Sequence, residues 1–149
     1  MINFTEIIQF AIDREIEAEA FYLEVSAKVT KETIQQLFIG FAKEEKRHQQ
    51  LLTDALNNKK TTLHFKEVSD YKLSESLEKT TLTPTMTLAE VFNIAMKNEE
   101  AAMIMYRKLA SDAASEYTRN LFENLAVMEQ GHKVLLEERY VDVAYGEVW

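Results

Sequence analysis

The 149-residue sequence contains no cysteine, one proline and three glycines. The absence of cysteine excludes disulfides, cysteine-ligated zinc, iron–sulfur clusters and thiol catalysis. The scarcity of proline and glycine leaves few turn signals and favours long helices. A formal charge of −8 argues against non-specific binding to nucleic acid, which depends on basic patches.

Long apolar runs are also lacking. No stretch approaches the roughly 18 apolar residues of a membrane span, and the N-terminal sequence has neither an apolar signal segment nor a basic leader. A chain of this length suits one domain with a substantial core. We therefore expect residues 1–149 to form a single cytoplasmic domain that binds neither membranes nor nucleic acid.

What is present is helical periodicity. Apolar residues recur every three to four positions in four segments, which predicts helices at about residues 4–28, 31–56, 87–110 and 115–140. Thr87 and Glu90 form a capping box at the start of the third helix. Short links join the first helix to the second and the third to the fourth, whereas residues 59–86 separate the two pairs. The predicted fold class is all-α, with two antiparallel helical hairpins joined by a long crossover in a four-helix bundle.

Three further features lie outside these helices. Residues 71–79 of the crossover have a pattern that favours a short extra helix. His64, also in the crossover, has no partner in a repeat and is interpreted as a surface residue. The C-terminal tail carries Tyr145, Val148 and Trp149, which we expect to pack on the protein or on another subunit.

The two hairpins repeat one another. An ungapped comparison of residues 6–53 with the residues 84 positions later gives thirteen identical pairs. The identical pairs are Glu6/Glu90, Ala11/Ala95, Glu15/Glu99, Ala18/Ala102, Tyr22/Tyr106, Glu32/Glu116, Leu37/Leu121, Phe38/Phe122, Ala42/Ala126, Glu45/Glu129, His48/His132, Leu51/Leu135 and Leu52/Leu136. A shared apolar core explains the leucine, phenylalanine and alanine pairs, but it does not explain why glutamate and histidine are retained.

Two of the four glutamate pairs lie in first helical turns, where carboxylates interact favourably with the helix dipole and take part in capping. The other two lie in mid-helix, on the same face as retained alanines, a tyrosine and a histidine. Each hairpin is thus predicted to point two glutamates and one histidine inward. The six candidate metal ligands are Glu15, Glu45, His48, Glu99, Glu129 and His132.

Such a set requires a counter-charge. Buried carboxylates without partners are costly, and four of them together would repel one another, whereas two divalent cations would neutralise them. An oxygen-rich set with two imidazoles suits iron or manganese better than structural zinc. Paired Glu and Glu-x-x-His ligands are the pattern of di-iron and di-manganese carboxylate bundles. We therefore predict two iron ions, with manganese or mixed occupancy as the alternative.

Other residues near these positions allow two interpretations. Glutamates without an acidic counterpart in the repeat are interpreted as solvated or as neighbours of a ligand; they are Glu17, Glu19, Glu44 and Glu100. Tyr22 and Tyr106 are either core aromatics or donors of a hydrogen bond to a ligand carboxylate.

The motifs "EIEAEAFY" (15–22), "EEKRH" (44–48), "EEAAMIMY" (99–106) and "EQGH" (129–132) together resemble those of the rubrerythrin family, within the ferritin-like superfamily. The resemblance covers all four helices and implies a ferritin-like four-helix bundle that holds two irons. It implies further that Glu45 and Glu129 bridge the irons, that Glu15 and Glu99 are terminal ligands, and that each histidine binds one iron. It also implies a homodimer.

Two departures from that family shape the functional expectation. Rubrerythrins that reduce peroxide usually carry a rubredoxin-like domain with four cysteines, so this cysteine-free chain would need an external electron donor, such as a rubredoxin-like protein or a flavoprotein. They also carry an extra carboxylate where this chain has Ala102.

The resemblance implies a di-iron oxidoreductase that reduces H2O2 or O2 in oxidative-stress defence. One alternative is a non-enzymatic iron-handling protein with a ferroxidase or storage role. A further alternative is a helical interaction module with a structural metal site.

Overall fold

The computed structural model describes residues 4–57, 82–83 and 85–144. Within these ranges the regular structure is four helices: α1 (Phe4–Lys28), α2 (Glu32–Asn57), α3 (Leu88–Asp112) and α4 (Glu116–Ala144). The predicted helix ends agree to within two residues, with one exception. The predicted end of α4 near residue 140 is wrong, because the helix continues to Ala144. Val143 in this last turn is only 2% exposed. Its burial stabilises the turn, although valine has a low helix propensity.

Side-chain caps define the starts of α3 and α4. The backbone N–H of Glu90 donates to Oγ1 of Thr87 at 3.1 Å, which confirms the predicted start of α3. The backbone N–H of Thr118 donates to Oγ of Ser115 at 3.2 Å. Each of the four described helices also carries a glutamate in its first turn, as predicted from the repeat. The carboxylate complements the helix dipole there. These residues are Glu6, Glu32, Glu90 and Glu116.

The chain divides into two compact units with a boundary after residue 64. In the first unit α1 packs against α2, and in the second unit α3 packs against α4. The ring of Tyr22 stacks on that of Phe38 with centroids 5.7 Å apart, and Tyr106 stacks on Phe122 at 6.1 Å. These two contacts join corresponding members of the repeat, so the repeat preserves core packing as well as residue identity.

Burial follows the repeat closely. Five matched apolar pairs are all at most 2% exposed: Ala11/Ala95, Tyr22/Tyr106, Phe38/Phe122, Ala42/Ala126 and Leu52/Leu136. The interpretation of Tyr22 and Tyr106 as core aromatics is therefore confirmed, and their hydrogen bond to a ligand carboxylate stays a prediction.

Some expectations fall on other parts of the chain. His64, the candidate helix at 71–79 and the tail residues Tyr145, Val148 and Trp149 lie outside the described residues. Across the described ranges, none of the helices combines the length and the apolar character that crossing a membrane requires.

Candidate metal centre

The first unit brings together the three ligand candidates predicted for it. Glu15 lies in the middle of α1, while Glu45 and His48 lie one turn apart in α2. Their exposed fractions are 3%, 1% and 1%. Nδ1 of His48 is 3.5 Å from Oε2 of Glu15 and 3.8 Å from Oε2 of Glu45. The helical periodicity aims these side chains inward, and the helix-to-helix packing brings α1 and α2 close enough for them to meet.

The second unit contains the equivalent set. Glu99 lies in the middle of α3, and Glu129 and His132 lie one turn apart in α4. The three side chains are 2%, 2% and 3% exposed, and Nδ1 of His132 is 3.3 Å from Oε1 of Glu99. In both units, Nδ1 is the imidazole nitrogen that faces the carboxylate from the neighbouring helix. The repeat therefore preserves the contact geometry of the triad as well as its residues.

These separations suit ligand atoms that share a cation. In each unit one oxygen from each glutamate and one histidine nitrogen lie within 4.8 Å of one another. Two ligand atoms each about 2.1 Å from one ion would lie about 3.0 Å apart when adjacent in octahedral geometry and about 4.2 Å apart when opposite. The 3.3–3.8 Å nitrogen-to-oxygen distances fall in this interval. The residues present thus fit a divalent cation with oxygen and nitrogen ligands.

The electrostatics of the first unit also favour a cation. Burial, followed by the hydrogen bond and the negative charge of Glu45, raises the pKa of the Glu15 carboxyl from 4.5 to about 8, while His48 acts in the opposite direction. In the metal-free protein, Glu15 is therefore protonated at neutral pH. A cation would replace that proton and supply the positive charge that an ionised buried carboxylate needs.

The neighbouring glutamates have other surroundings. Glu17 is half-buried and pairs with Arg14 at 3.3 Å. Glu100 is exposed and pairs with Lys133 at 3.7 Å, and Glu44 is exposed. Glu19 is half-buried and accepts a hydrogen bond from Nε2 of Gln49 at 3.0 Å. The interpretation of these four residues as solvated or as neighbours of a ligand is confirmed.

The contact made by Gln49 was not predicted from the sequence. Its Nε2 also donates to the backbone oxygen of Glu15 at 3.3 Å, so one amide ties α2 to α1 beside a candidate ligand. The position directly follows His48, and its counterpart in the repeat is Lys133. Because the residue type is not retained, the comparison of repeats gave no signal for this contact.

Comparisons with known proteins identify the class of protein to which this fold and these triads belong. The sequence profile named Rubrerythrin matches residues 6–140, and the chain therefore belongs to the rubrerythrin family. Among curated proteins, none gives a significant sequence match.

Three solved structures are similar over nearly the whole chain. A hypothetical protein from Pyrococcus furiosus has 28% identity and a TM-score of 0.77, with coverage of 99% of this chain and 94% of the other. A protein from Thermotoga maritima described as a ferritin-like diiron-carboxylate protein has 25% identity and a TM-score of 0.71, with coverage of 95% and 96%. The bacterioferritin-related protein of Bacteroides fragilis, described as a dodecameric thioferritin, has 21% identity and a TM-score of 0.73, with coverage of 94% and 85%.

These likenesses establish the fold class. The chain has the all-α, ferritin-like four-helix bundle fold, as the sequence predicted. Membership of a di-iron carboxylate family, together with the two buried Glu/His sets, supports iron binding.

Proposed function

We propose that this protein is a di-iron carboxylate oxidoreductase that reduces H2O2 or O2. One observation carries the proposal: a chain of the rubrerythrin family contains the same buried Glu, Glu and His triad in each of its two repeats. The four carboxylates of these triads carry a charge of −4 when ionised, which two divalent cations would balance.

The proposed roles of the ligands follow the family pattern. Glu45 and Glu129 would bridge two bound irons, Glu15 and Glu99 would be terminal ligands, and His48 and His132 would each bind one iron. The near-complete burial of all six side chains excludes bulk water, which strengthens the electrostatic interaction of each carboxylate with a cation. Glu15 releases its proton when a cation binds, because its carboxyl is protonated at neutral pH in the metal-free protein.

The iron pair, when bound, supplies two electrons, which with two protons convert one H2O2 to two water molecules. The chain contains no cysteine and hence no rubredoxin-like site of its own to restore those electrons. We propose that a separate electron donor does so, either a rubredoxin-like protein or a flavoprotein.

Rapid mixing tests this proposal. Metal-free protein is loaded anaerobically with Fe(II) and mixed with H2O2 or with O2, and oxidation is followed by absorbance. We expect faster oxidation by H2O2 than by O2, and continued H2O2 consumption when a reduced rubredoxin is supplied. Glu45→Ala is the control for reaction at the proposed site. Equal rates for the parent and Glu45→Ala, or oxidation without donor-driven turnover, would contradict the oxidoreductase proposal.

A second candidate function is iron handling, in which the protein oxidises Fe(II) with O2 and passes on or stores the product. Ala102 favours it. Peroxide-reducing relatives carry a carboxylate at this position, one helical turn after Glu99, whereas here both Ala102 and its repeat counterpart Ala18 are half-buried alanines. The two repeats of this chain are thus more alike at this position than the two repeats of those relatives.

The substitution Ala102→Glu discriminates between the two candidates. Residues three apart share a helix face, so a carboxylate at position 102 would lie beside Glu99. Ala101→Glu is the matched control, because it adds the same charge at an exposed position. If only Ala102→Glu increases the preference for H2O2 over O2, the parent is a poor peroxidase because it lacks this carboxylate, which favours the iron-handling candidate. If the parent already prefers H2O2 and neither variant changes this, the second candidate is rejected. Bound metal without any redox reaction would instead indicate a structural site in a helical interaction module.

A further inference from the structure

Gln49 makes two hydrogen bonds from α2 to α1. Its Nε2 donates to the backbone oxygen of Glu15 at 3.3 Å and to Oε1 of Glu19 at 3.0 Å. Both acceptors lie on α1, one helical turn apart, and a backbone oxygen cannot donate. The NH2 group of the amide therefore faces α1, where its two N–H groups serve the two acceptors. Because Gln49 is half-buried, these bonds are partly shielded from water.

These bonds bear on two candidate ligands at once. One acceptor is the backbone oxygen of Glu15 itself, which has a second lone pair besides the one used in the helical bond. On the other helix, Gln49 directly follows His48. The amide thus lies beside the contact in which Nδ1 of His48 is 3.5 Å from Oε2 of Glu15. Sliding of α2 along α1 would change that distance and would also break the bonds of Gln49, so the amide opposes this movement.

The repeat shows what takes the place of this contact in the second unit. The counterparts of Gln49 and Glu19 are Lys133 and Met103. Met103 is 8% exposed and has no carboxylate, so both members of the hydrogen-bonded pair differ together. Lys133 instead pairs with the exposed carboxylate of Glu100 at 3.7 Å, and exposed ion pairs contribute little. The two triads have the same ligand residues, but the helices that carry them are held together differently.

We propose that Gln49 is a positioning residue for the cation that Glu15, Glu45 and His48 would hold. Its amide keeps α1 and α2 at the separation at which the three ligand side chains converge, so less conformational freedom is lost when a cation binds. Residues that orient metal ligands contribute about 10–100-fold to metal affinity. The second triad has no equivalent amide. The inference rests on the ligand set of the proposed function, but not on the reaction that the bound metal supports.

A role in fold stability alone predicts a different result. If the bonds of Gln49 only stabilised the folded chain, their removal would lower the melting temperature, but the folded protein would bind its cations as before. A positioning role instead changes the affinity of one triad and not of the other, because only α1 and α2 lose a contact. The dissociation constants of the two cations therefore distinguish the two roles.

Calorimetric titration of the metal-free protein with Mn(II) measures these constants. Gln49→Met is the informative variant, because methionine keeps the unbranched shape and helix propensity of glutamine but has no N–H donor. The parent should bind two ions per chain. Gln49→Met should raise the dissociation constant of one ion about 10-fold and leave that of the other within about 2-fold. Gln50→Met is the matched control and should change neither, since Gln50 is exposed and bonds within α2, to Asp54 at 2.9 Å.

Removing one histidine at a time identifies the ion that responds. His132→Ala leaves the triad of the first unit complete, and His48→Ala leaves that of the second unit complete. Gln49→Met should weaken Mn(II) binding about 10-fold when combined with His132→Ala, and by less than about 2-fold when combined with His48→Ala. Equal effects in the two backgrounds, or a larger effect with His48→Ala, would overturn the proposal.

Failure of this inference is distinguishable from failure of the proposed function. A parent that binds no Mn(II) would overturn the ligand set, and with it both proposals. A parent that binds two ions with constants that Gln49→Met leaves unchanged would overturn the positioning role alone, even if the melting temperature of the variant is lower. If a histidine variant does not fold, the titrations of Gln49→Met and Gln50→Met in the otherwise unchanged chain still decide, because the two constants must respond unequally.

Discussion

The raised pKa of Glu15 predicts an unusual pH dependence of stability in the metal-free protein. In the folded chain the pKa of this carboxyl is about 8, against 4.5 as its ordinary value. Between these two values the folded state holds a proton that the unfolded state has released. The stability that this carboxyl contributes is therefore fully present below about pH 4.5 and is lost as the pH rises towards 8. This is opposite to the effect of a salt-bridged surface carboxylate.

The size of the effect follows from the same interval. At about 1.4 kcal/mol per pH unit, a rise from 4.5 to about 8 corresponds to a loss of up to about 5 kcal/mol across the whole range. A chain of this size shifts its melting temperature by about 2–4 °C per kcal/mol. The metal-free protein should therefore melt about 10 °C lower at pH 8 than at pH 5, after correction for all other titrating groups.

Glu15→Gln isolates this contribution, because the amide retains the shape of the protonated carboxyl and does not titrate. Calorimetric melting curves of metal-free parent and variant are measured from pH 5 to 8. We expect the parent to lose stability with rising pH and the variant to lose much less. Glu17→Gln is the control, since Glu17 belongs to a part-exposed ion pair with Arg14, a type of contact that contributes little. Parallel curves for the parent and Glu15→Gln would contradict this prediction.

Three further outcomes follow from the triads and from a helix cap. Fe(II) or Mn(II) at 100 times its dissociation constant should stabilise the parent by about 2.7 kcal/mol, and an unchanged melting temperature would contradict the ligand assignment. Glu45→Ala and Glu129→Ala should each bind fewer than two metal ions per chain by elemental analysis, while Glu19→Ala should match the parent; two retained metals in Glu45→Ala would exclude a bridging role. Thr87→Ala removes the hydrogen bond to Glu90 and should destabilise the fold by about 1 kcal/mol in urea unfolding, which an unchanged midpoint would disprove.

The inward direction of the candidate ligands follows from the sequence alone. Helical periodicity gives the direction of each residue relative to its own helix axis, and the repeat identified the retained positions. For this reason the sequence favours Glu15 over Glu17 and Glu19 as a ligand, and the structure confirms that Glu15 is buried while the other two are half-buried. Helix starts were equally predictable, because a cap such as Thr87 acts through hydrogen bonds within one turn.

The distances between these side chains and the surroundings of each one depend instead on how the helices pack. The 3.5 Å between Nδ1 of His48 and Oε2 of Glu15 depends on how closely α1 approaches α2, which is set by contacts such as the stacking of Tyr22 on Phe38. The raised pKa of Glu15 depends on its burial, and the last turn of α4 depends on the burial of Val143. Periodicity is local to one helix, whereas distance and desolvation arise only when helices pack against one another.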